Sequence, residues 1–380
     1  MTCFSFIFTI GSFFIIPDED PTFKAQVIDD NVSIGYGLAI GDVDGDKKPD
    51  IILADKKEFV WYRNGDWKRF VMVENLTESD NVCIAARDIN GDGIVEIAVG
   101  AQWNPGETSD TLKSGSVHYL IRPEDPTQKW TTVELHHEPT IHRMQWVLAK
   151  DDIYHLVVLP LHGRGNKNGE GKGVKIFAYQ KPKDPYQPWP YFLIDESLHL
   201  THNFDIVPNG KSERIYLGGK EGIKMFSFER GRWSASKKMY VQGHSFGEVR
   251  VGRMTDKKFV TGVEPMHGNE LTVYLPGDTP KRQVLTSDLK QGHALATADF
   301  SNSGIDQIVI GWREPNSENK VGIKIYVAEN AEGTNWKDYW VDDNGMACED
   351  LKVADLNDDG KKDIIAAGRN SHNLKVYWGR

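Results

Sequence analysis

The sequence has little cysteine, no excess of positive charge and no apolar run long enough to cross a bilayer. Its three cysteines among 380 residues are too few for a disulfide framework, and Cys3, Cys83 and Cys348 lack the spacing of a metal site. The formal net charge of −10 argues against a nucleic-acid partner, which requires a basic surface. A spanning helix needs about 20 consecutive apolar residues, so we expect no transmembrane segment.

The N-terminal stretch from Phe4 to Ile16 is mostly apolar. It is similar to the core of a secretory signal peptide, although a basic start and a clear small-residue cleavage site are missing. The alternative is a disordered start. We therefore expect residues 1–20 to be a signal peptide or a disordered start, with export to the periplasm or the extracellular space. Residues 21–380 are expected to form a single domain.

What the sequence does contain is an internal repeat. Its 36 glycines and 11 tryptophans suit many short strands joined by tight turns. Each copy has a short apolar strand, a turn and a second apolar strand. Three copies with an acidic turn cover residues 39–54, 86–100 and 353–367, and a degenerate fourth covers residues 298–311. Three more copies keep the strand pair without the acidic turn, at residues 145–160, 204–219 and 249–263.

Two further strands follow each pair. The third is short and aromatic, as in Phe59–Tyr62, and the fourth often opens with Trp, as in Trp67–Glu74 and Trp233–Tyr240. Only six fourth strands follow the seven third strands, and residues 23–30 supply the missing one. The sequence therefore predicts an all-β, seven-bladed β-propeller with four antiparallel strands per blade. The N-terminal strand closes the last blade and removes the open sheet edges.

The acidic turns follow the pattern Asp-x-Asp-x-Asp-x-x-x-Asp or a close variant. Such a loop gathers the oxygen ligands that calcium prefers, but the same side chains can also cap backbone amides in a tight turn. The motif resembles the FG-GAP, or VCBS, repeat of β-propellers. We expect structural calcium at three turns, through Asp42, Asp44, Asp46 and Asp50, through Asp88, Asn90, Asp92 and Glu96, and through Asp355, Asn357, Asp359 and Asp363.

Histidines gather at the opposite face. The start of strand one and the end of strand two lie on one side of a blade, away from the acidic turn. Seven of the 12 histidines fall at such positions: His142, His162, His202, His244, His267, His293 and His372. A propeller channel receives loops from every blade, so these side chains are expected to converge on a concave site.

Imidazoles with a carboxylate suit Zn²⁺. His202, His267 and His293 come from consecutive blades and are the expected zinc ligands, with Glu248 as a fourth. A remaining imidazole, His142 or His244, is then free to move a proton near neutral pH.

Arginines and tryptophans near the same face are expected to contact the ligand. Arg164, Arg313 and Arg369 offer forked hydrogen bonds to an anionic or hydroxylated group. Trp103 and Trp312 offer rings for stacking on a sugar, although packing at the rim explains each tryptophan equally well. His162, Glu349 and His372 complete the expected substrate-binding set.

The histidine-bearing segments resemble the propeller of the aldos-2-ulose dehydratase group. The similar segments cover residues 140–146, 160–165, 202–203, 264–269, 292–295, 346–351 and 368–373. The resemblance implies zinc at the bottom of the propeller cleft and dehydration of a keto sugar such as 1,5-anhydrofructose or glucosone. The zinc ligands named above rest on position in the repeat rather than on the resemblance.

The expected function is therefore a zinc-dependent carbohydrate dehydratase, a carbon–oxygen lyase that acts by β-elimination. Two alternatives stay open. One is a polysaccharide lyase, in which Arg or His neutralises a uronate before the same elimination. The other is a non-catalytic propeller that binds carbohydrate or protein, because a fold does not determine a function.

Overall fold

The computed structural model describes residues 20–380, which form seven blades in a ring, each a sheet of four antiparallel strands to which one blade adds a short fifth strand. The predicted signal peptide falls on residues 1–19 and lies outside the described part of the chain. Within residues 20–380, no helix has the length and apolarity needed to span a membrane. The expected all-β, seven-bladed propeller is confirmed.

The strands of the first three blades follow the predicted order, with strand one innermost. The chain begins with β1 (Phe23–Asp29), which belongs to the last blade. Blade one has β2 (Gly37–Gly41), β3 (Asp50–Ala54), β4 (Glu58–Tyr62) and β5 (Arg69–Glu74). Blade two has β6 (Cys83–Arg87), β7 (Glu96–Ala101), β8 (Ser116–Ile121) and β9 (Thr131–Leu135). Blade three has β10 (Ile141–Lys150), β11 (Ile153–Pro160), β12 (Ile176–Gln180) and β13 (Tyr191–Asp195).

Blades four to seven repeat this antiparallel order. Blade four has β14 (Thr201–Asn209), β15 (Ser212–Gly219), β16 (Gly222–Glu229), β17 (Arg232–Ala235) and the short β18 (Val241–Gln242). Blade five has β19 (Val249–Met254), β20 (Lys257–Glu264), β21 (Glu270–Leu275) and β22 (Lys281–Thr286). Blade six has β23 (Gly292–Ala298), β24 (Gln307–Trp312), β25 (Gly322–Ala328) and β26 (Trp336–Asp343). Blade seven has β27 (Cys348–Ala354), β28 (Asp363–Gly368) and β29 (Asn373–Gly379).

The N-terminal strand closes the ring as predicted, because β1 pairs antiparallel with β29 as the outer strand of blade seven. One strand prediction was wrong in detail. The fourth strand expected over Trp233–Tyr240 is split, since β17 ends at Ala235 and β18 pairs separately with the start of β16.

Apolar side chains fill the spaces between adjacent blades. Each of the seven core clusters combines residues from two neighbouring blades, including the cluster that joins blade seven to blade one. A single blade exposes both faces of its sheet, so each blade depends on its neighbours for burial. The innermost strands of adjacent blades contact each other and surround a central channel. The ring therefore holds the two ends of the channel, and the loops around them, in fixed positions.

One core imidazole makes the fold sensitive to acid. His155 on β11 is buried, and its Nδ1 accepts a hydrogen bond of 3.1 Å from Trp233 Nε1. Burial lowers the pKa of His155 from 6.5 to about 4. The unfolded chain therefore binds a proton more readily, and stability is lost as the pH falls from about 6.5 towards 4.

We expect the His155 contribution to the free energy of unfolding to fall by about 2 kcal/mol between pH 7 and pH 5. Urea unfolding of the His155→Gln variant should show a correspondingly smaller difference between these pH values. His199→Gln, on the loop before β14, serves as the control. An unchanged pH dependence in His155→Gln would show that this imidazole is not the sensitive group.

Candidate functional site

Three imidazoles meet at one end of the channel. His202 lies on β14, His267 follows β20, and His293 lies on β23, so blades four, five and six contribute one ring each. One nitrogen from each ring lies within 4.8 Å of the others. His202 Nε2 and His267 Nε2 are 2.7 Å apart, and the centroids of the His267 and His293 rings are 4.9 Å apart. The three expected zinc ligands therefore come together.

Backbone carbonyls orient two of these rings from behind. His202 Nδ1 lies 3.2 Å from the carbonyl oxygen of Gly247, and His293 Nδ1 lies 2.5 Å from that of Glu349. A carbonyl only accepts hydrogen bonds, so each ring carries its proton on Nδ1. In this tautomer Nε2 carries the lone pair that would bind a metal, which is the usual arrangement of metal-binding histidines. The arrangement of His202, His267 and His293, called here the imidazole cluster, fits Zn²⁺ by the chemistry of its donors.

Glu248 does not occupy the fourth ligand position that we expected from the sequence. Its Oε1 lies 3.2 Å from His202 Nδ1, on the side of the ring away from the Nε2 that meets His267. Asn203 Nδ2 donates to its other oxygen at 2.7 Å, and Arg250 lies 3.1 Å away. Burial alone would raise the pKa of this carboxyl group, but the His202 hydrogen bond and Arg250 lower it to about 2. Glu248 therefore lies beside Nδ1 of His202 and not beside the Nε2 that meets His267.

His142 packs against the imidazole cluster from β10. Its ring lies edge-on to His202 with a centroid distance of 4.4 Å, and its other side stacks on Trp103 at 4.9 Å. The side chain is 5% exposed, and neither ring nitrogen has a hydrogen-bond partner among the described residues. Burial and then Arg143 hold the pKa of His142 well below its ordinary value. The expected proton-transfer residue His142 and the expected stacking residue Trp103 are thus both at the site.

Glu349 is clamped between two arginines beside His293. Its buried carboxylate lies 2.8 Å from Arg313 Nη1 and 2.9 Å from Arg369 Nη1, and 4.0 Å from His293 Nε2. Arg313 also donates to Gln291 Oε1 at 3.0 Å. The three expected side chains lie beside the cluster, but much of the donor capacity of Arg313 is used within the protein. Its role in this structure is to hold Glu349 in place.

Trp312 is buried in the core, so its ring cannot contact a ligand or stack on a sugar at the site. It is the last residue of β24, its ring is 1% exposed in the core between blades five and six, and its Nε1 donates to Lys320 O at 2.8 Å. The expected stacking role is therefore wrong. The pattern placed Trp312 on the correct face but could not say that its ring turns between the blades.

Four other expected site residues make their polar contacts elsewhere. His244 is 42% exposed, and its Nδ1 lies 3.0 Å from Glu264 Oε2. Arg164 pairs with Glu138 at 2.8 Å. His372 Nδ1 lies 3.0 Å from Val32 O. The backbone amide of His162 donates to Thr140 Oγ1 at 3.0 Å, and the buried Nδ1 of its ring has no hydrogen-bond partner among the described residues. These four residues lie on the same face of the propeller as the imidazole cluster, but they contact residues near its rim. The loops that carry them determine how far they lie from the propeller axis.

The acidic turns differ from one another. In the first turn, Asp42, Asp44 and Asp50 each bring a carboxylate oxygen within 4.8 Å of the others. Burial, reinforced by nearby Asp44 and Asp46, raises the pKa of Asp50 to about 7.

The carboxylates of the second and third turns do not converge in this way within the described residues. In the second turn Asn90 Nδ2 donates to Glu96 at 2.6 Å and to Asp92 at 3.1 Å. In the third turn Asn357 Nδ2 donates to Asp359 at 3.1 Å. These side chains partner one another and the turn amides instead.

Sequence reasoning missed the side chains that support the cluster. Asn203 and Arg250 hold Glu248 in place. The only sequence signal for them is adjacency to a candidate residue, as in the pair His202 and Asn203.

Comparisons with known proteins agree with this geometry. Residues 114–276 match the model of the aldos-2-ulose dehydratase β-propeller domain, and residues 19–99 match an FG-GAP-like repeat. His142, His202 and His267 fall within the first match. The aldos-2-ulose dehydratase of Phanerodontia chrysosporium is 22% identical over 330 residues, which is 77% of this chain and 36% of that protein. The chain thus spans about a third of the length of this relative.

Solved structures support the fold alone. A BBS1N chain in complex with ARL6DN has a TM-score of 0.58 at 12% identity and covers 94% of this chain and 97% of its own. A chain of the mitotic checkpoint complex has a TM-score of 0.57 at 9% identity and covers 100% and 98%. Together with the sequence matches, these findings show that this chain is a seven-bladed β-propeller that resembles the propeller domain of aldos-2-ulose dehydratase over residues 114–276 and an FG-GAP-like repeat over residues 19–99.

Proposed function

We propose that this propeller is a zinc-dependent carbohydrate dehydratase that eliminates water from a keto sugar. The observation that carries the proposal is the imidazole cluster, with two Nδ1 atoms held by carbonyls and one nitrogen of each ring within 4.8 Å of the others. The resemblance to aldos-2-ulose dehydratase supports a keto sugar such as 1,5-anhydrofructose as the substrate. His202, His267 and His293 would hold the zinc ion, which when bound would polarise the carbonyl and acidify the neighbouring C–H bond.

The protein's own residues would then move the proton. In a β-elimination the C–H bond beside the carbonyl breaks, its electron pair forms the C=C bond, and the β-hydroxyl leaves with a proton as water. His142 is the proton acceptor we favour, because its ring touches His202 and both of its nitrogens are unpartnered among the described residues. Trp103 fixes the plane of that ring by stacking. The resulting imidazolium can return the proton to the leaving hydroxyl.

Glu248 would act as a positioning residue through its carboxylate beside His202 Nδ1, and Glu349 through its backbone carbonyl beside His293 Nδ1. Each is buried beside one imidazole and is held by arginine, Glu248 by Arg250 and Glu349 by Arg313. Such outer contacts fix ring orientation and raise the basicity of a ligand. Their arginine partners keep the carboxylates ionised in a buried setting, where an unpaired charge would be costly.

The direct test is turnover of 1,5-anhydrofructose, followed by the ultraviolet absorbance of the enone product. Protein stripped with a chelator should be inactive, and one equivalent of zinc should restore activity. A panel of uronic-acid glycans in the same assay tests the lyase alternative. Sugar binding without any turnover by the zinc-loaded protein would contradict the proposal and favour a non-catalytic binding module.

We also propose that calcium binds the first acidic turn. Three converging carboxylates at Asp42, Asp44 and Asp50 repel one another, and a hard cation would relieve that repulsion. Calcium at 100 times its dissociation constant should stabilise the fold by about 3 kcal/mol, which thermal unfolding would report as a shift of several degrees.

Two variants check the calcium prediction. Asp42→Asn should abolish most of the calcium-dependent shift, whereas Asp355→Asn in the third turn should leave most of it. Equal shifts in both variants and the wild type would place the stabilising calcium elsewhere.

A further inference from the structure

The outer strand of blade three presents an apolar surface to solvent. Of the eight large apolar side chains that are exposed in residues 20–380, four lie on β13 or in the hairpin turn before it. These four, called here the apolar edge, are Tyr186, Tyr191, Phe192 and Leu193, and 65%, 44%, 45% and 47% of their surfaces are exposed. Exposed apolar side chains are ordinary when scattered, but a group of neighbours indicates an interaction site.

Blade two contains the same hairpin turn. Trp130 Nε1 donates to Pro126 O at 3.0 Å, and in blade three Trp189 Nε1 donates to Pro185 O at the same distance. Counted from the tryptophan, the positions of the apolar edge are occupied in blade two by Thr127, Thr132, Val133 and Glu134. The turn therefore forms without aromatic side chains at these positions. Their presence in blade three suits a protein interface, where aromatic residues are enriched and Glu is depleted.

The strand also has backbone groups available for pairing. β13 is the last strand of its sheet, beyond β12. Pro190 O accepts from Gln180 N of β12 at 2.9 Å, so by the alternation of an antiparallel ladder Tyr191 and Leu193 direct their N–H and C=O groups outward. The missing N–H of Pro190 lies on the inner side and leaves the outer edge complete. Such an edge can accept one more strand.

Charged side chains protect other outer strands against this pairing. The strands β1, β5, β22 and β26 each carry an exposed Lys or Arg, namely Lys24, Arg69, Lys281 and Lys337. The segment from Tyr191 to Ile194 has no charged residue. Because exposed charges on an edge strand discourage pairing with another chain, β13 is the better docking edge.

The two ends of β13 carry opposite charge. The turn before the strand is net positive, from Lys181, Lys183 and Asp184. Asp195 and Glu196 follow the apolar residues, and Asp195 pairs with Lys224 at 2.8 Å while Glu196 is exposed. When two copies of the strand lie antiparallel, the positive end of each meets the negative end of the other, which is the complementary arrangement. The strand is therefore complementary to a second copy of itself.

We propose that β13 pairs antiparallel with β13 of a second copy of this chain, across a two-fold axis at Phe192. The same surface then serves both copies, as in most symmetric dimers. Tyr191 of each copy lies opposite Leu193 of the other and exchanges backbone hydrogen bonds with it, and the two Phe192 rings meet. Because β13 is the outer strand of its blade, the contact leaves both ends of each channel open.

The size of this contact suits a dimer that dissociates readily. At ~200 Å² for each aromatic side chain, the exposed fractions of the three rings of the apolar edge amount to about 300 Å² per copy. Leu193 and the exposed Pro188 and Pro190 extend this surface, so two copies together approach the ~1,000 Å² of a specific interface. His136 stacks on Tyr191 at 4.4 Å and fixes its ring, which lowers the entropy cost of association. We expect a dissociation constant in the micromolar range.

Sedimentation equilibrium of the full chain, from about 1 to 500 µM, tests the proposal. Wild type should pass from monomer to dimer as its concentration rises. Leu193→Glu introduces the residue that blade two has at this position and should raise the dissociation constant at least about 10-fold, since a charge is then buried at the contact. The matched control is Val284→Glu, at a 41% exposed position on the outer strand β22, and it should dimerise like wild type.

A charge exchange tests the antiparallel arrangement. Lys183→Glu and Glu196→Lys should each weaken the dimer several-fold, because like charges then meet at both ends. An equimolar mixture of the two variants should associate as tightly as wild type, since opposite charges again meet in the mixed dimer. A mixture that associates no more tightly than the separate variants would overturn the arrangement.

Three further results would overturn the proposal: wild type that stays monomeric over the whole range, a dimer that Leu193→Glu leaves unchanged, or equal weakening by Val284→Glu. If Leu193→Glu fails to fold, Tyr186→Thr decides in its place, because blade two has Thr127 at that position. Weaker association of this variant supports the dimer, and unchanged association overturns it. None of these measurements depends on zinc or on turnover.

Discussion

Replacing His202 by Ala should abolish retention of zinc and lower turnover of 1,5-anhydrofructose by more than about 100-fold, beyond the 10- to 100-fold usual for outer-shell changes. His202 contacts every other imidazole of the site, since its ring lies 4.5 Å from that of His267, 5.2 Å from that of His293 and 4.4 Å from that of His142. Removing it leaves two imidazoles, which is fewer ligands than a catalytic zinc site uses. Metal analysis of dialysed protein and the enone assay measure the two effects.

The control for this variant is His136→Ala, an exposed imidazole stacked on Tyr191 away from the channel. It should retain both zinc and activity. Glu248→Gln should have an effect between those of His202→Ala and His136→Ala. Its zinc affinity should be reduced about 10- to 100-fold, because the substitution alters an orienting contact and not a ligand. His202→Ala protein that keeps zinc and full turnover would refute the cluster as the catalytic metal site.

Removing the closing strand should have the largest effect on folding. β1 pairs with β29 through six residue pairs, and Tyr62 Oη donates to Asp29 at 2.6 Å across to blade one. Phe23 also packs edge-on against Phe300 of blade six at 5.8 Å. A chain that starts at Asp30 would lose these contacts and expose β29 as an open edge.

The expected loss is on the order of 5 kcal/mol, given about 1 kcal/mol for each backbone hydrogen bond plus the lost packing. That is a large part of the stability of an ordinary domain, so the shortened chain should melt far below the full one and should aggregate. A synthetic peptide of residues 20–30 added in excess should restore part of the melting temperature. Equal melting of the full and shortened chains would show that the ring does not depend on β1.

The architecture could be predicted from the sequence because the repeat is local. The turn and the apolar alternation of each strand pair can be recognised within its own segment of the sequence. The count of third and fourth strands was enough to predict that residues 23–30 close the ring. The prediction failed where the pattern weakens, at β17 and β18. There the fourth strand is interrupted and the chain returns to pair with β16, which no residue type in that segment signals.

The site was predictable only in part, because position in the repeat gives the face and not the distance from the axis. His142 and His244 lie at or just before the start of a first strand, yet His142 contacts His202 and His244 contacts Glu264 at the rim. The direction in which a side chain points could also not be predicted from the repeat pattern. Trp312 ends a second strand as expected but turns into the core, and Glu248 approaches the protonated side of His202. The carbonyls that orient the rings, such as Gly247 O, carry no sequence signal at all.

The central claim is that the imidazole cluster is a metal centre, and anomalous diffraction from crystals of the protein tests it most directly. Data collected on both sides of the zinc absorption edge should show one strong peak bounded by a nitrogen from each of His202, His267 and His293. Crystals of His202→Ala should lack that peak. Absence of a zinc-specific peak at the cluster in zinc-supplemented wild-type crystals would contradict the claim.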